Sequence, residues 1–523
     1  MKLEKDTIFF VICLCLPFIF IPAFLRIRLL GGPIGTELIV WPILLMFGYT
    51  FYIVKKGNQK FYHHTYFICF IVIYIVYSLL DLLHGFTIYP FWNLILQGPI
   101  DQIEKLPKVL SFLQSHSIGV TQKSLTEIWL ALRLVKSNIL DCFYFFFFSY
   151  VVYCWYKGNP SRGIFILKKS ITIIIWIISF YSAFEILSFF GIDLGKQFLV
   201  TVNPFLHSIK ANFGWWPPLL WPGRVRSIFP EPSYFGMYAA FCVPFLYSSY
   251  LNHESVKINL VQIFLIDFLI FLSLSKTSSV LLLFETSLFF LYILFKRNRS
   301  NIVKFLVIFF VILVSFLSSL LCMHYYISNS PEKVQSQEEV QSNNVSVRSY
   351  VEDNVAGAMN QSVGSNKARF AVINSELKTF KENPLLGVGK GLGVAYNSYN
   401  LREVQHEIPE LKNCIALQEK EGILKTGFPT PSEYSKRLSE EGVLGTFVYF
   451  FPILVLFILI VKKRHKLFKS TNIVNDEAAT YISLCACLIS GGSGLLTVFQ
   501  CYWLLLGLSY AYILHNDSDD KPV

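Results

Sequence analysis

Apolar runs near 20 residues long recur down most of the chain, divided by short polar or basic stretches. Runs of that length match a hydrocarbon layer about 30 Å thick. They predict about twelve membrane helices, over approximately 7–25, 37–54, 65–83, 138–156, 170–190, 234–251, 257–274, 277–295, 304–322, 443–461, 478–494 and 496–514. Only SKT divides 257–274 from 277–295, and only GGSG divides the last two, which would make the count eleven if they are one. The first run follows MKLEKD and has no small-residue cleavage site, so it is expected to stay as an anchor.

The stretches between the runs set a direction. KKGNQK (55–60), KGNPSRGIFILKK (157–169), KRNRSNIVK (296–304) and KKRHKLFK (462–469) all fall on one side if the N-terminus is cytoplasmic. Cytoplasmic loops carry the excess of Lys and Arg, so both termini are expected inside. The chain then divides into 1–322, the first nine helices with outside loops at 84–137 and 191–233; 323–442, a large, partly helical outside loop; 443–514, the last three helices; and a tail, 515–523. Within 84–137, SLTE predicts a helix over 124–136 opened by a capping box of Ser124 and Glu127. The stretch 328–366 is polar, nearly free of aromatics and expected to be mobile. No internal repeat is visible, which counts against an inverted-repeat transporter.

Composition narrows the class further. Of 523 residues, 54% are hydrophobic and 15% charged, against roughly 45–50% and about 25% in soluble chains. A soluble enzyme, a secreted disulfide scaffold and a disordered protein are excluded. The net charge of +11 is therefore a topology signal and gives no reason to expect nucleic-acid binding. Most of the eleven cysteines sit in apolar runs, where they act as small apolar residues. Cys322 and Cys414 alone are placed to meet an oxidising outside, where a bridge is the minor alternative. GVGKGLG (387–393) resembles a nucleotide loop but lies on the wrong side of the membrane. SLSK (273–276) has no companion motifs, DSDD (517–520) reads as a solvated tail, and the ten histidines show no zinc spacing. No metal or cofactor is expected.

The chemistry gathers in three outside stretches. WWPPLLWPGRVRSIFPEPSYFG places Trp215, Trp216 and Trp221 at the outer interface, followed by Arg224, Arg226 and Glu231. Arginine forks suit phosphate oxygens, so these residues are candidates to hold a diphosphate whose lipid tail stays in the bilayer. Lys276, at an outer junction, is either a second phosphate contact or an interfacial lysine. Asp81, Asp141, Glu185, Asp267 and Glu285 lie in or near spans, where ionisable groups mark function by default. A helix over 367–381 carries Arg369 and stops at ENP; the GVGKG turn then offers backbone amides to an anion. Finally, PSEYSKRLSEEGVLG leads into the span at 443, with Glu440 in the last turn before it.

In this order the stretches resemble the polytopic O-antigen polymerase and O-antigen ligase superfamily. RVRSIFPEPSYFG is similar to the family pattern R-x-x-S-x-F-x-E-P-S, and LSLSKTS to L-T-x-S-R with Lys276 in place of Arg. RF…ENPLLGVGKG is similar to R…N-P-L-x-G-V-G-x-G, assigning Arg369, Gly387 and Gly389. PSEYSKRLSEEGVLG is similar to H-N-x-Y-L-x-x-L-x-E-x-G-x-x-G, assigning Tyr434, Leu438, Glu440, Gly442 and Gly445. The resemblance spans about 190 to 514. It implies an all-α polytopic membrane protein of the GT-C-like kind in the bacterial inner membrane.

The resemblance also implies a reaction: repeat units on undecaprenyl diphosphate are joined into O-antigen or capsular polysaccharide at the outer face. Arg224, Arg369 and Glu231 would be catalytic, and Arg226, Lys276, Gly387, Gly389, Tyr434 and Glu440 would bind substrate. Partners would be the lipid-linked donor and acceptor glycans, membrane lipid and a chain-length regulator protein. Ligases carry a His taken as the base where this chain has Pro431, and Pro cannot accept a proton. Polymerase is therefore the expectation. Transfer of the glycan to lipid A-core or protein by a ligase is the first alternative. A polysaccharide or lipid transporter, with Asp267 and Glu285 at the midplane, is the second.

Overall fold

The computed structural model describes residues 4–27, 34–57, 59–103, 106–207, 223–297, 299–329, 364–469, 474–496 and 499–515. Trp215, Trp216, Trp221, most of 328–366 and the DSDD tail lie outside them.

Backbone groups inside lipid must be satisfied within the protein, and the described residues form helices with no strand among them. The chain opens with α1 (Lys5–Cys15), α2 (Val40–Lys55), α3 (His64–Ile88), α4 (Trp92–Leu96) and α5 (Leu106–Ser115). Next, α6 (Gln122–Leu140) runs through a π-helical stretch, Asp141–Phe147, into α7 (Phe148–Tyr156). Then come α8 (Pro160–Phe189), α9 (Asp193–Leu206), α10 (Pro232–Leu251), α11 (Val256–Leu272), α12 (Lys276–Lys296) and α13 (Arg299–Asn329). The large loop holds α14 (Gly364–Glu382), α15 (Gly393–Leu401) and α16 (Pro409–Glu421). Last are α17 (Glu433–Lys469), α18 (Val474–Ser490) and α19 (Gln500–Ile513).

Among the described residues, six helices are long and apolar enough to cross a membrane: His64–Ile88, Gln122–Tyr156, Pro160–Phe189, Lys276–Lys296, Arg299–Ser328 and Glu433–Lys463. The other expected runs fall on α1, α2, α10, α11, α18 and α19, which are shorter or more polar. The first run is helical only to Cys15, because Pro17 and Pro22 lack backbone donors and Phe20 turns left-handed at φ 53°. The helix expected at 124–136 and the run at 138–156 form one continuous rod. Its cap is Thr121 rather than Ser124: the extended Thr121 backbone lets its hydroxyl accept the Ser124 N–H at 3.1 Å. Glu127 pairs instead with Lys123 at 3.9 Å. Cys322 and Cys414 are both free.

The two ends of the bundle differ in chemistry. At one end Lys168 binds Glu254 at 3.0 Å and Asp476 at 2.5 Å, tying α8 to the turn after α10 and to the start of α18. Arg162 binds Asp6 at 2.8 Å beside them. The basic stretches at 55–60, 157–169, 296–304 and 462–469 contact this end through Gln59 on Cys154, Lys304 on Leu251 and Lys463 on Ile513. The far end collects the last turns of α3, α8, α11 and α18 and the first turns of α10, α12 and α17. There α10 and α12 cross so closely that a Cβ on Gly236 would fall 1.6 Å from the Ser278 hydroxyl.

Candidate functional site

The segment 223–231 crosses the far end without regular structure and is held by one buried carboxylate. Glu185, near the end of α8, accepts the Arg226 N–H at 3.2 Å and the Ser227 N–H at 2.9 Å. The Arg226 side chain turns the same way. Its Nε stands 4.0 Å from Glu185 and its guanidinium donates to the Pro230 carbonyl at 3.3 Å. Arg226 is therefore buried and matched within the protein. The Val225 N–H donates to the Leu272 carbonyl at 3.1 Å. That bond lays Arg224 against the turn that leads into Lys276, the first residue of α12. Beside Arg226, both ring nitrogens of buried His207 lack a hydrogen-bond partner among the described residues. Burial, and then the Arg226 charge, push His207 down to about 3, so it stays neutral.

Glu231 sits just before α10 and accepts a hydrogen bond from the Ser233 hydroxyl at 3.2 Å. Burial raises its carboxyl above the ordinary range, while the Arg369 guanidinium and Ser233 pull it back. The loop carboxylate at 231 and the arginine 138 positions later are thus near enough to interact electrostatically. Arg369 is exposed on α14 and makes no hydrogen bond or ion pair among the described residues. The rest of α14 is buried through Ala368, Val372, Ser375, Glu376 and Thr379, one face at helical spacing.

After α14 the GVGKG turn packs against a break in α17. Gly442 adopts φ 62° there, so α17 is two helices across a kink. The freed groups pair with the turn as in a short antiparallel ladder. The Val388 and Gly389 N–H groups reach the Ser439 and Glu440 carbonyls at 3.0 and 2.8 Å, and the Val443 N–H reaches the Pro384 carbonyl at 2.9 Å. The amides expected to cradle an external anion are thus engaged internally. The next amide, Lys390, donates to the Asp81 side chain of α3 at 2.9 Å. A Cβ on Gly85 would fall 2.8 Å from the Gly389 Cα, so two bare backbones cross at this point.

The Lys390 side chain continues inward. Its Nζ pairs with Asp141 at the start of the π-helical stretch and donates to the Asn138 oxygen at 2.8 Å. Tyr74 donates to the same Asp141 carboxylate at 2.7 Å. Local sequence does not single out Lys390, and it marks Arg437 only faintly. Arg437 bridges Glu433 and Glu441 at 2.6 Å each and lies 3.4 Å over the Tyr449 ring. Its i−4 and i+4 glutamates are the one clue the sequence offers. Tyr434 donates to the Leu488 carbonyl, and the Glu433 N–H donates to the Gly491 carbonyl at 2.9 Å. The Glu440 side chain lies against Gly393 and faces Arg133 of α6. Lys390→Met would leave Asp141 buried without its cation, at a cost of about 3–5 kcal/mol. The purified variant should show a clearly lower Tm than the parent; an unchanged Tm would mean the knot carries no stability.

Two carboxylates, an exposed arginine and a glycine turn docked on a helix break now stand at one end of an apolar bundle. Residues 261–450 match the O-antigen ligase family model. No curated protein and no solved structure matches the chain. The matched O-antigen ligase domain runs from α11 into α17. It contains Lys276, Arg369, Gly387, Gly389, Tyr434 and Glu440, and it leaves out Arg224, Arg226 and Glu231. The match covers 190 of the 523 residues, and the long apolar helices are those of a polytopic membrane protein.

Proposed function

We propose that this protein polymerises repeat units carried on a polyprenyl diphosphate, at the outer face of the bacterial inner membrane, with both termini cytoplasmic. The observation that carries the reading is Arg369: an exposed guanidinium with no ion pair among the described residues, within electrostatic reach of Glu231 at one end of the bundle. A cation left unmatched beside a membrane suits an anionic head group, and its planar fork fits two phosphate oxygens. Two other arginines of the region, Arg226 and Arg437, have their charge matched by buried carboxylates.

In this reaction the donor glycan leaves its lipid diphosphate as the acceptor hydroxyl attacks. Negative charge grows on the diphosphate, and Arg369 stabilises it, with Arg224 and Lys276 contributing from the neighbouring turn. Glu231 orients Arg369. The glycine turn and Glu440 shape the floor, and α14 to α16 of the large loop cover the glycan. A chain-length regulator would bind at the same face.

The family description favours the second reading, a ligase. Pro431 favours polymerase, because it offers no proton acceptor. The test is a gel of surface polysaccharide from a strain lacking this gene. A single repeat unit with the ladder gone is the expected result. Long chains accumulating on the lipid carrier would make the protein a ligase.

A further inference from the structure

Transfer to a sugar hydroxyl requires somewhere for the proton to go, and the loop region contains a carboxylate with no structural reason to be charged. Glu376 of α14 is 3% exposed. It differs from Asp141, Glu185, Glu433 and Glu441, each of which has a cation within 4.0 Å. Glu376 has no ion pair among the described residues. What it has is a set of neutral partners that fix its position. The Ser435 hydroxyl of α17 donates to its Oε2 at 2.5 Å, and the Asn397 amide of α15 also bonds it. Asn397 is itself held by the Ser375 hydroxyl, which donates to its oxygen at 2.7 Å.

This layer is unusual for its helix. The buried face of α14 begins with Ala368 and Val372, in an apolar cluster with Leu401, Leu411 and Ile415. One turn later it becomes Ser375, Glu376 and Thr379. Burying polar groups costs free energy even when they are bonded, so a stability role alone would favour the apolar pattern throughout. Seven residues separate Arg369 from Glu376, which is roughly 10 Å along a helix axis.

We propose that Glu376 receives the acceptor proton, through Ser435, in the transfer reaction described above. This rests on the transferase reading. Ser435 Oγ touches the acceptor hydroxyl, and Glu376 acts behind it as a positioning residue that holds the proton. The acceptor O–H bond breaks as its proton passes to Ser435 Oγ, whose own proton passes to the Glu376 carboxylate. The acceptor oxygen bonds the anomeric carbon of the donor. The bond from that carbon to the diphosphate oxygen breaks, and the diphosphate leaves with the electron pair towards Arg369. The groups facing Glu376 fit the task. Burial raises it to about 7, Glu440 adds to the rise, and Lys436, Ser435 and Asn397 oppose it. A base is most effective with a pKa near the working pH.

The experiment uses membranes holding the full chain, supplied with lipid-linked repeat unit extracted from the deletion strain, and measures the initial polymerisation rate from pH 5.5 to 8.5. The parent rate should fall as pH drops through about 7, because the carboxylate form is lost below that point. Glu376→Gln keeps the size and the Ser435 hydrogen bond and should lower the rate at least about 100-fold, the lower end for a positioned base. It should also abolish the acid limb, and Glu376→Asp should retain a limb with a shifted midpoint. A rate within tenfold of the parent, or an unchanged acid limb, in Glu376→Gln overturns the proposal. Should that variant fail to fold, Ser435→Ala decides: a rate at least tenfold down with a normal Tm supports the relay, and a normal rate refutes it. Arg369→Ala is run alongside. If it is inactive while Glu376→Gln is active, only this proposal falls; if both are fully active, the transferase reading falls with it.

Discussion

Arg369→Ala is expected to abolish polymer formation, by at least about 100-fold, while the protein accumulates in the membrane at the parent level. The magnitude is that of removing one preorganised donor from developing charge, about 10²–10³ in rate. The normal level follows from where the side chain sits: it is exposed and makes no hydrogen bond or ion pair among the described residues, so its loss removes no packing. Arg369→Lys should recover little, since a single ammonium cannot reproduce a two-toothed contact. A repeat-unit ladder of normal length from the alanine variant would refute the phosphate-clamp role. Loss of both ladder and protein would instead place Arg369 among the residues that hold the fold.

Gly387→Ala should act in the opposite way, through stability. Gly387 adopts φ 70°, and a Cβ there would fall 2.4 Å from the Glu440 carbonyl oxygen. The left-handed backbone costs an L-residue roughly 1–2 kcal/mol, and overpacking adds about 1–3 kcal/mol. The contacted atom is backbone and is already bonded to Gly389, so it has little freedom to retreat. Thermal unfolding in detergent should show a marked fall in Tm. Gly48→Ala is the control, because its Cβ would meet nothing within 4 Å, and its Tm should hold or rise slightly. Equal Tm values for the two variants would show that the turn is not docked on the α17 break.

Some of this was readable in the chain itself. The helix expected over 367–381 forms as Gly364–Glu382, since its apolar spacing and its ENP stop are both local signals. The ENPLLGVGKG stretch stands out for its glycines, and the structure gives their reason: Gly387 and Gly389 have positive φ where the turn meets α17 and α3. Lys390 and Glu376 do not stand out in the sequence because their meaning lies in residues far along the chain, at Asp141 and Ser435. Nothing in a window around either one distinguishes it from a solvated charge. The continuous rod from Gln122 to Tyr156 is hidden from the sequence for a related reason. Periodicity separates an amphipathic stretch from an apolar one, but the π-helical turn between them leaves no break in the backbone.

The knot around Lys390 also bears on how the protein is made. Asp81 and Asp141 precede Lys390 by 309 and 249 residues. At roughly 5–20 residues per second of synthesis, their partner emerges about 10–60 s after they do. Through that interval α3 and the α6–α7 rod carry acids that lipid does not tolerate as ions, while the residue that holds them is still to be made. A ribosome that stalls before codon 390 therefore leaves a bundle with two unmatched acids on display. Such a chain carries its own mark of incompleteness, available to the proteases that clear unfinished membrane proteins.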